Sequence, residues 1–170
     1  MKEEYNADFF ILEIFPETGG IVYVHNAVNQ VLDDFALNIK IAHDKARRGH
    51  VVYILPTLHE RDERRAIIFF DSKPLKNPDL RIDDVLHEVE APTKPGRLNN
   101  LKHRISEGAH QANFVILNLE TSIDINLMRR VCKAKFIDHK ELLGIEFRYK
   151  EIYIRFLRGD FFYEIKEPLL

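Results

Sequence analysis

Among 170 residues there is a single cysteine, Cys132. One thiol makes no intrachain disulfide and no cysteine-based zinc site. No stretch approaches the roughly 20 apolar residues that span a bilayer as a helix, so no membrane partner is expected. Neither sign of charge dominates: 25 Lys and Arg stand against 27 Asp and Glu, a net of −2. No basic field over the whole chain announces a nucleic-acid binder. The opening Met1-Lys2-Glu3-Glu4 lacks the apolar core of a secretory signal. No glycine-rich phosphate loop, nucleophile elbow or His-Glu-x-x-His pattern occurs, and there is no repeat or low-complexity tract. Apolar residues are plentiful, 45% of the chain, which excludes disorder as a whole-chain state. These limits predict a soluble, intracellular single domain over residues 1–170.

The pattern of residues predicts an order of elements. Asp8 to Phe15 is apolar and β-prone, Pro16 to Gly20 breaks it, and Ile21 to His25 resumes it, which reads as a hairpin. Val28, Val31, Leu32, Phe35, Ile39 and Ala42 recur at helical spacing, with Asp33, Asp34, Lys40 and Asp44 on the other side. A helix is therefore expected over 28–48, ended by Gly49 in a left-handed conformation. His50 to Leu55 reads as a buried strand, Thr57 to Arg65 as a charged loop and Ile67 to Phe70 as a brief strand. Leu80–Ile82, a tight turn at Asp83-Asp84 and Val85–Glu90 read as strand, turn and strand.

A second helix carries Leu98, Leu101, Ile105, Ala109 and Ala112 on one face, and Phe114 to Leu119 is a deep strand. A third helix is expected over 123–134. Ile145 to Leu157 should then turn at Arg158-Gly159-Asp160 into Phe161–Ile165 as a terminal hairpin. The sum is an α/β (α+β) domain with a central mixed β-sheet flanked by helices.

Chemistry concentrates at Asp79–Glu90. Asp79 follows Pro78 at a strand start, while Glu88 and Glu90 lie two apart and so share one face of a strand. Pairing of Leu80–Ile82 with Val85–Glu90 would bring Asp79 near one of them. Converging carboxylates suit Mg²⁺ or Mn²⁺. Such an ion polarises a phosphoryl oxygen and lowers the pKa of bound water. A solvated acidic strand face is the alternative that spacing leaves open.

Two cationic windows accompany these acids. Residues 91–106 hold Lys94, Arg97, Lys102 and Arg104 with no acid, and residues 129–135 hold Arg129, Arg130, Lys133 and Lys135 with none. Each window is suited to a phosphate backbone, or simply coats a helix. His103, Glu107 and His110 share a helix face opposite the apolar stripe and have zinc-ligand chemistry, with plain solvent exposure as the alternative. Gln111, at the helix edge, is placed for a substrate contact or a polar gap. Glu17 and His25 are secondary candidates on the first hairpin, His25 as an acid or base near neutral pH. Cys132 sits in an apolar helical pattern and reads as core.

Several segments together resemble a known nuclease core. They are Asn77-Pro78-Asp79-Leu80-Arg81-Ile82, then His87-Glu88-Val89-Glu90-Ala91-Pro92, then Ile105 through Gln111-Ala112-Asn113 into Phe114-Val115-Ile116-Leu117. The series resembles PD-(D/E)xK nucleases, and more narrowly the tRNA-nuclease domains at the C-termini of contact-dependent growth-inhibition toxins and their phage and mobile-element relatives. Pro16 to Gly20 with His25, and Gly49 to Pro56, are similar to the front half of such domains.

The resemblance implies a restriction-endonuclease-like sheet and hydrolysis of phosphodiester bonds in RNA, tRNA above all. It also implies a divalent cation (Mg²⁺, Mn²⁺ or Zn²⁺), an immunity-type protein partner, and action in the cytoplasm, reached in a toxin by delivery into a target cell. Asp79 and Glu88 would hold the metal or activate the attacking group. On charge and position, His25, Arg97, Lys102, Arg104 and Gln111 are the candidates to contact the nucleic acid. The family's lysine two residues after Glu88 is here Glu90, and a carboxylate cannot stabilise developing negative charge as an ammonium does. Lys94 replaces that charge from the loop, or Glu90 is a further metal ligand, or the fold survives as a catalytically degenerate module that binds nucleic acid or protein.

Overall fold

Where β-branched and aromatic residues run together the chain pairs as strands, and where apolar residues recur every third or fourth position it coils. The computed structural model describes residues 7–31, 33–93 and 97–159. In order the elements are β1 (Phe9–Phe15), β2 (Gly20–His25), α1 (Asp33–Ala46), β3 (Val51–Ile54), α2 (Arg65–Ile68), β4 (Leu80–Ile82) and β5 (Val85–Glu90). Then come α3 (Leu98–Gln111), β6 (Phe114–Leu119), α4 (Ile125–Asp138), β7 (Gly144–Tyr149) and β8 (Ile152–Leu157). The fold is α/β with mixed strand pairing and flanking helices, as the sequence pattern predicts. The chain forms two compact units that divide inside β5, one running to Leu86 and the other starting at His87.

In the first unit β1 and β2 are antiparallel, with a register shift between Ile11 and Glu13. The β2–β3 pair is parallel and the β3–β4 pair antiparallel. Helix α1 makes the crossover between the parallel strands and buries Asn38, Ile41, Ala42 and Lys45. A Cβ on Gly20 would lie 1.7 Å from the Ala46 carbonyl oxygen, so only glycine lets the end of α1 rest on the start of β2. Gly49 follows with φ of +89°, the left-handed stop expected of it. The other face of these strands carries Tyr23 stacked on Tyr53, ring centroids 4.6 Å apart. Tyr53 also joins a small core with Leu55, Leu58, Ile68 and Phe69. Asp83 and Asp84 both take positive φ, 45° and 68°, and form the predicted tight turn after β4.

In the second unit β5, β6 and β7 are parallel and β8 returns antiparallel. Helices α3 and α4 pack together in its core, where Leu101, Ile105 and Ala109 meet Val115, Leu117, Met128, Val131 and Phe147. Asp124 caps α4 by accepting from the backbone N–H groups of Asn126 and Leu127 at 2.9 and 3.1 Å, a contact whose loss costs about 1 kcal/mol. Cys132 is buried and its thiol is pushed well above its ordinary pKa by burial.

Five local expectations are corrected. Helix α1 starts at Asp33 rather than Val28, because the Asn29 side chain accepts from the Val31 N–H at 3.0 Å and holds a turn there. Asp44, expected on the solvent side of that helix, is buried. Residues 65–68 form a single helical turn rather than leading into a strand, with Arg65 bonded to the carbonyls of Leu58 and Lys76. Helix α4 runs four residues beyond Ala134, to Asp138. Residues 145–157, expected as one strand, are divided between β7 and β8 by a turn at Lys150-Glu151, where Lys150 has φ of 56°. The expected turn at Arg158-Gly159-Asp160 runs outside the described residues. The expected strand Phe161–Ile165 lies outside the described residues.

Candidate functional site

The parallel pairing of β5 with β6 sets Glu88 beside Val115 and Glu90 beside Leu117. Val115 and Leu117 belong to the core beneath α3, so both glutamates point to the α3 side, as alternation along a strand requires. Helix α3 comes close because Gly108 has no side chain. A Cβ there would lie 2.8 Å from Val115 Cγ1 and 3.3 Å from Glu90 Cγ. Glu88 is half-buried, with its Oε2 enclosed.

The Glu90 side chain is only 12% exposed, and Arg104 from α3 meets it, Nη1 to Oε2 at 3.4 Å. The same Arg104 Nη1 donates to Glu107 Oε2 at 2.9 Å, and Glu107 Oε1 lies 3.3 Å from His103 Nε2. A chain of contacts thus runs from the strand to the helix surface, Glu90 to Arg104 to Glu107, with His103 at its outer end. A guanidinium forking between two carboxylates holds both side chains in place and offsets their repulsion.

The remaining candidates are dispersed. Asp79 belongs to the first unit, half-buried at the start of β4, where its Oδ1 accepts from Asn38 Nδ2 at 3.2 Å. Lys94 lies outside the described residues. His25 is 1% exposed, its Nδ1 accepts from the Ala27 N–H at 3.0 Å, and burial lowers its pKa. That is the setting of a core histidine rather than a phosphate contact. Arg97 is exposed at the residue before α3, Lys102 is half-buried on α3, Gln111 is half-buried in its last turn, and Glu17 is exposed in the first turn. His110 does not join His103 and Glu107; its ring stands edge-on to His139 instead.

Among the described residues no three His, Cys, Asp or Glu side chains gather as a metal site would require. The donor chemistry on β5 is nonetheless that of a hard divalent cation: two carboxylates on one strand face, one of them with a buried oxygen. Such an ion would supply polarisation of a phosphoryl oxygen.

The sequence reading missed the partner of Glu90. It set Arg104 among residues that touch nucleic acid, whereas Arg104 sits at the acids themselves. Fourteen residues separate the pair, so no local pattern reports it.

This strand, helix and strand fall within a stretch of recognised similarity. Residues 76–151 match the family model of the contact-dependent growth inhibition CdiA C-terminal domain. The match runs from just before β4 to just beyond β7, and it supports a toxin. No curated protein and no solved structure matches the chain. Among the described residues no helix is long and apolar enough to cross a membrane.

Proposed function

We propose that this chain is a nuclease-type toxin domain that hydrolyses phosphodiester bonds in RNA, with tRNA as its first substrate. The observation that carries the reading is the half-buried pair Glu88 and Glu90 on one face of β5, met by Arg104, inside the stretch similar to the growth-inhibition toxin domain. Glu88 would hold a Mg²⁺ or Mn²⁺ ion or accept the proton of the attacking water. Glu90 keeps Arg104 in position. Arg104 takes over the charge that a lysine two residues after Glu88 provides in PD-(D/E)xK nucleases, so a guanidinium stabilises the developing phosphorane charge. Lys94 is a second source of that charge, and an immunity-type protein is the expected partner of such a toxin.

A second reading, a degenerate nuclease fold that only binds, is favoured by the closure of Arg104 onto Glu107 as well as Glu90. An arginine neutralised on both sides has less charge to offer a transition state. One experiment separates the two. Purified protein is incubated with total tRNA and with plasmid DNA in Mg²⁺, Mn²⁺, Zn²⁺ or chelator, with Glu88→Gln as the control. Metal-dependent tRNA cleavage that disappears in Glu88→Gln supports the nuclease. Binding of tRNA without cleavage under any metal supports the degenerate module.

A further inference from the structure

The junction of α3 with α4 gathers a second polar cluster, which the acids on β5 do not use. Ser106 lies at mid-helix in α3, and its Oγ is 3.0 Å from Lys135 Nζ and 3.0 Å from His139 Nε2. Lys135 Nζ also donates to Asp138 Oδ2 at 2.8 Å. His110, one turn after Ser106, sets its ring edge-on to His139 with centroids 5.5 Å apart. Lys102, one turn before Ser106, lies on the same flank of α3, as the four-residue spacing dictates. Its charge joins those of Lys135 and His139 in holding the Asp138 carboxyl below the usual range, after the larger effect of the Lys135 hydrogen bond. Lys135, His139 and Lys102 therefore act on one carboxylate, with Ser106 bonded to Lys135 and His139 and the His110 ring set against His139.

The arrangement exceeds what joining two helices requires. Lys135 occupies a core position, on the stripe with Met128, Val131, Cys132 and Phe136, and its side chain is 11% exposed. An ammonium there carries a desolvation penalty that an apolar residue would avoid. Its carboxylate partner sits on the outside, with the Asp138 side chain 53% exposed. The donors are thus fixed within the helix junction while the compensating acid lies at its rim. Fixed N–H and O–H donors with a surplus of positive charge have the chemistry of a phosphate receptor.

We propose that this junction is an anion subsite that seats one phosphate of a nucleic-acid backbone, with Ser106, Lys135, His139 and His110 as its donors and Lys102 at its edge. This deepens the nuclease reading and rests on it for the identity of the ligand as nucleic acid.

Two titrations test it on the whole chain, both followed by imidazole NMR. The first adds inorganic phosphate. The resonances of His110 and His139 should move together, while those of His103, whose side chain is 69% exposed, stay in place. Lys135→Met should weaken phosphate binding about tenfold, and His110→Gln, at an exposed position, about threefold. Phosphate that moves neither imidazole overturns the subsite and leaves the cluster as an interhelical clasp. The second titration adds tRNA to the Glu88→Gln chain. Displacement of phosphate from His110 and His139 supports the backbone assignment. Phosphate binding that tRNA does not displace overturns it in favour of a free phosphate ligand. A chain that binds tRNA here and never cuts it overturns the nuclease reading alone.

Discussion

On the flank of α3 that faces β5, Arg104 bridges Glu90 and Glu107, with Glu88 two residues back on the same strand face. On the flank that faces α4, the Asp138 carboxylate answers Lys135, with His139 and Lys102 close enough to act on it. One helix thus keeps an acid-rich cluster and a cation-rich cluster apart, with the apolar stripe of Leu101, Ile105 and Ala109 between them. Mixed together, these groups would neutralise each other. Held on separate flanks, one cluster keeps an excess of acid and the other an excess of base.

The sharpest way to break this comparison is to remove the acid. Glu88→Gln keeps the size and polarity of the side chain and should lower tRNA cleavage a hundredfold or more, the scale of a lost acid–base group or metal ligand. Cleavage is read as product per mole of protein, with thermal unfolding checked alongside. Wild-type cleavage in Glu88→Gln would leave the acid flank without a catalytic role. Arg104→Met asks whether the cation there acts on substrate. Its loss should cost at least tenfold in cleavage, while Arg97→Ala at an exposed position should cost less than threefold. Equal effects would reduce Arg104 to general attraction of phosphate.

A steric prediction comes next in size. Gly108→Ala adds a methyl 2.8 Å from a Val115 methyl and 3.3 Å from the Glu90 stem. Alanine favours the helix over glycine by about 1 kcal/mol, and overpacking costs about 1–3 kcal/mol. Val115 is 1% exposed and has no room to yield, so the steric cost should win. Urea unfolding should show a net loss of about 1 kcal/mol, and cleavage should fall because Glu90 is displaced from Arg104. A more stable Gly108→Ala chain would show that α3 does not press on the acid strand.

How much of this was legible in the sequence depends on the range of the interactions. Helix α3 and strand β6 were readable because their signals are local: an apolar residue every third or fourth position, then the unbroken apolar run Phe114 to Leu117. The turn at Lys150 was not readable, since a lysine in a left-handed conformation leaves no mark in composition while Gly159 nearby does. The carboxylates on β5 were legible as a shared face from their spacing. Their partner Arg104 was not, because the packing of α3 against β5 decides it. Lys135 offered a signal that was missed, a lysine on the buried stripe of an amphipathic helix. Read as one of four cations in a basic window, it concealed the cluster with Ser106 and His139.

The smallest expected effect concerns the rim of the cationic flank. Asp138 has its pKa lowered in the folded chain, first by the Lys135 hydrogen bond and then by the charges of Lys135, His139 and Lys102. A carboxyl whose folded pKa lies below its unfolded value stabilises the fold at any pH above the unfolded value. That contribution shrinks as pH falls through the two values, because the unfolded chain takes up the proton first. Asp138→Asn should therefore be slightly less stable than wild type at pH 7, and the gap should close as pH drops below about 4, the ordinary carboxylate range. Added salt should narrow the gap at pH 7, since the side chain is largely exposed and screened. Phosphate should behave in the opposite sense: if the junction seats an anion, Asp138→Asn removes its competitor and tightens phosphate binding. A variant that is less stable at pH 7 and yet binds phosphate more tightly would separate the two roles, the carboxylate as a clasp for Lys135 and the donors around it as a receptor.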